Sequence, residues 1–150
     1  MTTATSTEAI SVLNDLIETS KDGEKGFLRA ADDTNSIDLR VIFLAASQRC
    51  GAAARELQNL VMDLGGEPET GGSIAGAIHR GWLDLKAAVS SRDDLAVLEE
   101  CERGEDFAKR RYSEALKKEL PEIVRAVIER QYQGVITNHD RVLALRDERR

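Results

Sequence analysis

Apolar residues recur at alternating spacings of three and four along four stretches of the chain. The first stripe runs Ile10, Leu13, Ile17, Phe27 and Ala31, with Ser20 and Glu24 standing where the period asks for apolar side chains. The second runs Phe43, Ala46, Cys50, Ala53, Leu57, Leu60 and Leu64. The third runs Leu98, Cys101, Ala108, Tyr112 and Ala115 around Glu105, and the fourth Val124, Ile128, Val135, Val142 and Leu145 around Gln131 and Asn138. Such spacing puts one greasy face on each of four helices, and four such helices can bury their faces only against one another.

The stretches between the stripes carry helix-end chemistry. "TSTE" offers a capping box of Thr5 with Glu8, and Asn35 or Ser36 after "DDT" can cap the second helix. "LGGEPETGGS" supplies C-terminal glycines at Gly65 and Gly66. Ser90 or Ser91 can cap the third long helix, with Asp93 and Asp94 in its first turn, and Pro121 suits the first position of the fourth. Ile74, Ile78, Trp82, Leu85 and Val89 predict a short fifth helix over residues 73–89, docked on the bundle through the chain's single Trp. It sits in the one long connection, between the second and third long helices. Short links make neighbours antiparallel. A long crossover returns the chain to the end where the first pair joins, so the order predicted is up-down-down-up.

Composition agrees and narrows the class. Only 4% of residues are aromatic, there are two prolines, and 32% are charged, which suits an all-α protein. A length of 150 residues predicts one domain over 1–150, with ordered helices from about 7 to 147. A formal net charge of −6 argues against nucleic acid as a partner. "MTTATSTEAI" has neither a basic nor an apolar leader region, and no apolar run nears the roughly 20 residues that span a bilayer. A cytoplasmic protein without membrane attachment is the expectation. Cys50 and Cys101 lie on inward positions, as buried thiols would.

The candidate chemistry lies in a repeated phrase, "DGEKGF" and "RGEDF". A shift of 81 residues places Gly23 on Gly104 and Glu24 on Glu105. Both glutamates sit on inward stripes. Each is buried against an arginine, with Arg49 on the second helix at matching height, or lies at the edge of its stripe with its tip in water, or the two meet and hold a cation or a shared proton between them. Glu102, Gln131 and His139 are potential helpers of such a metal site. His79 beside Trp82 reads as a local packing partner. No nucleophile triad, P-loop or dinucleotide fingerprint is present, and no catalytic or cofactor-binding residue is assigned.

The phrases "LNDLIETSKDGEKGF", "RELQNLVMDLGGEPETGGSIAGAIHRGW", "LEECERGEDFAKRRYSEAL" and "NHDRVLALRD" resemble a bacterial domain-of-unknown-function family of ferritin-like four-helix-bundle proteins. The resemblance implies a ferritin-like bundle with the short extra helix in its crossover, and it implies no activity. Ferritin-like proteins often hold two metals with a Glu from each of two helices and Glu-x-x-His from each of the others. Here the second helix has Glu56 followed by Asn59, and Ile136 stands three residues before His139. The ferroxidase ligand set is incomplete. The function expected is therefore a non-enzymatic bundle that acts by interaction, as a homodimer, with stress response the analogy from other ferritin-like proteins. The alternative is a bundle that handles iron or oxidants through Glu24 and Glu105. No cofactor is expected under the first reading, and iron or another divalent metal under the second.

Overall fold

The computed structural model describes residues 3–71, 82 and 93–150. Four helices account for nearly all of them: α1 (Thr3–Asp33), α2 (Ile37–Asp63), α3 (Asp94–Leu116) and α4 (Glu122–Glu148). The described residues contain no strand, and none of their helices is long and apolar enough to cross a membrane. The short helix predicted over residues 73–89, with His79, and the caps at Ser90 and Ser91 lie outside the described residues.

Cross-helix contacts fix the directions. Asn14 near the start of α1 bonds the chain just beyond α2 at Glu67 and Glu69, and Ser47 of α2 bonds the Glu24 carbonyl further up α1. Thr34 beyond the end of α1 bonds Asp94 at the start of α3 (2.8 Å), whereas Ser20 reaches Tyr112 (3.3 Å). Glu105 meets Asn138, and Tyr112 meets Gln131. Each of these pairs is antiparallel, so α2 and α3 run the same way. Residue 64 and residue 93 then lie at opposite ends of the bundle.

The helix ends show which local signals operate. Ser36 caps α2, accepting the Leu39 amide at 3.2 Å. At α3 the cap is Asp93, whose carboxylate accepts the Leu95 and Ala96 amides. A residue expected inside the first turn thus stands just before it. Pro121 likewise precedes the first residue of α4, with ψ of 144°. α1 is already helical at Thr5, so a cap there gives way to an earlier start. α2 ends in a Schellman turn: Gly66 N–H bonds the Val61 carbonyl and Gly65 N–H that of Met62. Gly65 takes a φ of 81°, which only glycine adopts cheaply.

Among the described residues the core forms two apolar clusters. One holds Phe27, Leu39, Phe43, Trp82, Leu98 and Val142. The other holds Leu13, Ile17, Leu57, Val61, Ile128 and Val135. Along α2 the buried track passes from Cys50 to Ala54, Leu57 and Val61, leaving Ala53, Leu60 and Leu64 half-buried. A seven-residue stripe drifts about 20° per heptad around a straight α-helix, which explains the handover.

Candidate functional site: a polar layer inside the bundle

Between the two clusters lies a layer of polar side chains. Glu105 is at its centre, 3% exposed. Its Oε1 accepts hydrogen bonds from Arg49 Nη2 on α2 (2.9 Å) and from Asn138 Nδ2 on α4 (3.0 Å). Its Oε2 is buried without a hydrogen-bond partner. Burial holds the Glu105 carboxyl above the ordinary carboxylate range, against the opposing pull of Arg49, Asn138 and His139. Arg49 also reaches Cys50 Sγ at 3.6 Å. Burial, with help from the Glu105 and Glu24 carboxylates and against Arg49, pushes the Cys50 thiol up to about 12. Cys101, also buried and free, is raised for the same first reason.

A second network adjoins the first. Tyr112 O–H donates to Gln131 Oε1 (2.8 Å) and lies beside Ser20 Oγ. Gln131 Nε2 in turn donates to Glu56 Oε1 (2.9 Å), and Arg130 closes on the other Glu56 oxygen. Burial alone would raise the Glu56 pKa, but these two donors hold it below its ordinary value. A cavity of about 20 Å³ touches Ser20, Arg49, Cys50, Trp82, Glu105 and Tyr112. That is room for one water molecule and not for a substrate.

The glycines of the repeated phrase acquire a reason here. Trp82 is buried, with its ring edge-on to Phe27 at 5.3 Å. A Cβ at Gly26 of α1 would stand 2.6 Å from the ring, and one at Gly104 of α3 would be 2.5 Å from Cζ2. The ring is clamped between two helices that both lack a side chain at the point of contact. Gly23 makes the corresponding space for Cys50 Sγ, and the Glu24 carboxylate lies directly over Gly51.

The predicted site residues fall into separate sets. Glu24 is half-buried, pairs with Lys21 at 3.5 Å and lies against α2, while Glu105 pairs with Arg49 and Asn138. Gln131 belongs to the Tyr112 network. Glu102 and His139 come together on the α3–α4 flank, with Asp106 as a third member. His139 is buried there, where the stripe alone pointed to Asn138 as the inward residue. Asp106 was the residue sequence reasoning missed. Its spacing of four from Glu102 was the available signal, since it stacks two carboxylates on one helical face.

The interior donor set does not fit the two-metal centre that ferritin-like proteins often carry. A dication bound at Glu105 would stand beside the Arg49 guanidinium, already 2.9 Å from the carboxylate, and the other side chain bonded to that carboxylate is the amide of Asn138.

A sequence model of the family described as Domain of unknown function (DUF2383) matches residues 8–118. A search among curated proteins finds no match. Among solved structures, a two-domain protein from Anabaena variabilis containing DJ-1/ThiJ/PfpI-like and ferritin-like domains superposes with a TM-score of 0.79 at 14% identity. The match covers 97% of this chain and 41% of that one. At that identity the likeness shows the fold, an all-α ferritin-like bundle.

Proposed function

The chain belongs to the ferritin-like family of unknown function DUF2383, and on that premise we propose that it is a non-enzymatic bundle that works by interaction, as a homodimer joined through the exposed face of α2. The observation that carries this reading is a row of exposed apolar residues on α2. Ile37 is 76% exposed, Val41 62% and Leu44 37%, at spacings of four and three on the side of α2 facing away from the core. Of the six large hydrophobics exposed among the described residues, Met62 of α2 and Ile123 of α4 also belong to this pair of helices, leaving only Leu28 on α1. The row stands outside the open groove between α2 and α4, whose lining includes Arg49, Gln133, Asn138 and Arg141. One helical row of this kind is self-complementary, so a second copy can seat it about a twofold axis. The interior supports the same reading, since Arg49 neutralises Glu105 and the cavity beside them admits no substrate.

Sedimentation velocity tests it. The wild type should sediment as a dimer at micromolar concentration, and Val41→Asp as a monomer with unchanged helical circular dichroism. An Asp there would strand a carboxylate in an apolar interface. A wild type that stays monomeric, or a Val41→Asp variant that stays dimeric, would refute the proposal.

A further inference from the structure

On the flank of the bundle, away from Arg49 and Glu105, three potential ligand atoms from α3 and α4 converge within 4.8 Å of one another: one oxygen each of Glu102 and Asp106, and one nitrogen of His139. His139 Nε2 lies 3.5 Å from Glu102 Oε1 and 3.7 Å from Asp106 Oδ1. The imidazole is buried, with a side chain only 9% exposed, and its Nε2 has no hydrogen-bond partner. Both separations exceed those of a direct N–H···O bond, about 2.7–3.2 Å. They are close to the edge of a tetrahedral site. Bonds of about 2.0–2.2 Å from a metal place its ligands roughly 3.3–3.6 Å apart.

The groups around the cluster point the right atoms inward. Arg146 Nη1 approaches the other oxygen of Glu102 (3.7 Å), and Arg110 Nε the other oxygen of Asp106 (3.6 Å). Each arginine stands on the outer oxygen and leaves the inner one toward His139. Asp140 Oδ1 lies 3.3 Å from His139 Nδ1. With the proton on Nδ1, shared with this carboxylate, Nε2 presents its lone pair to the cluster, the usual arrangement of a metal-binding imidazole. That lone pair then faces two carboxylate oxygens, and a cation between them relieves the repulsion. Three carboxylates against two guanidiniums leave the locality negative. Asp106 is 47% exposed, so a fourth position opens to water.

We propose that Glu102, Asp106 and His139 form a binding site for one first-row divalent transition metal of the zinc or ferrous type. One imidazole nitrogen with two carboxylate oxygens suits such ions, whereas calcium and magnesium favour oxygen alone. The i, i+4 spacing of Glu102 and Asp106 puts both on one face of α3, and the antiparallel α4 brings His139 opposite them. The site shares no residue with the exposed row of α2 and does not depend on dimerisation.

The test uses the full chain, purified without a histidine tag and stripped with chelator. Titrated Co²⁺ should bind at one equivalent per chain with the visible absorption of a tetrahedral ion, and Zn²⁺ should displace it. His139→Ala should weaken binding by at least about 100-fold, Asp106→Asn and Glu102→Gln by at least about tenfold. Glu24→Gln should leave binding unchanged. If His139→Ala loses its helical circular dichroism, Asp106→Asn carries the test, because that side chain is half exposed. Absence of stoichiometric binding, binding indifferent to Asp106→Asn, or loss of binding in Glu24→Gln would overturn the assignment.

Discussion

Gly104→Ala should destabilise the protein, and should stabilise it once Trp82 is gone. In an exposed helix interior, Ala is better than Gly by about 1 kcal/mol. At position 104 that gain meets an obstacle. The new Cβ would stand 2.5 Å from Trp82 Cζ2 and 2.8 Å from Nε1, where ordinary carbon contacts lie at about 3.5–4.0 Å. An overlap of roughly 1 Å against a rigid ring must be relieved by moving the ring or the helix. The ring cannot retreat across the clamp, because Gly26 on α1 holds its other edge just as closely. Overpacking of this kind costs about 1–3 kcal/mol, and the lack of an escape route puts it near the upper end. Set against the propensity gain, the net loss should be about 1–2 kcal/mol, a fall in Tm of about 2–8 °C for a chain of this size. Trp82→Ala by itself should cost about 3–5 kcal/mol. In that background the added methyl has room, and Gly104→Ala should gain about 1 kcal/mol. The coupling between the two positions is then about 2–3 kcal/mol. Urea titrations followed by far-ultraviolet circular dichroism, which survive loss of the Trp, give all four corners of the cycle. A Gly104→Ala protein more stable than wild type, or a coupling below about 0.5 kcal/mol, would refute the clamp.

The polar layer yields two further expectations. Arg49→Met strands a carboxylate that is 3% exposed and should cost about 3–5 kcal/mol at neutral pH. Burial already holds the folded pKa of Glu105 above its ordinary 4.5, so the fold favours the protonated form; that contribution is full below the unfolded pKa and is lost as pH rises through the folded one. The penalty of Arg49→Met should therefore shrink on acidification, and equal penalties in urea at pH 5 and pH 7.5 would contradict the ion-pair account. Cys50 and Cys101 are buried and their thiols are raised, so native protein at pH 8 should not react with Ellman's reagent over minutes, whereas unfolded chain should release two equivalents. Reaction of native protein at the rate of a free thiol would show that the layer opens to solvent.

The four helices and their buried faces were legible because burial and helical periodicity are local in origin. Leu13, Ile17, Phe43, Leu57, Leu98, Ile128 and Val142 are buried where the spacing of three and four put them. The glycines after α2 were legible too, since a left-handed turn residue is needed wherever a helix stops in a Schellman turn. Helix starts were less so. Asp93 and Pro121 each stand one step from the predicted place, since neighbouring residues at a helix end are near-equivalent starting points.

What the sequence determined by itself is the bundle, the directions of its four helices, and the inward placement of Glu105, Gln131, Cys50 and Cys101. The tertiary structure decided what those residues meet. A stripe fixes the angle of a side chain around its own helix but not its height against the next helix. Partners of buried polar groups depend on that height to within a hydrogen-bond length. So Glu24 and Glu105, equivalent by their spacing, have different surroundings: one lies over Gly51 beside Lys21, the other is held by Arg49 and Asn138. By the same register Gly26 and Gly104 close on one Trp ring, and Glu102 and Asp106 on α3 meet His139 on α4.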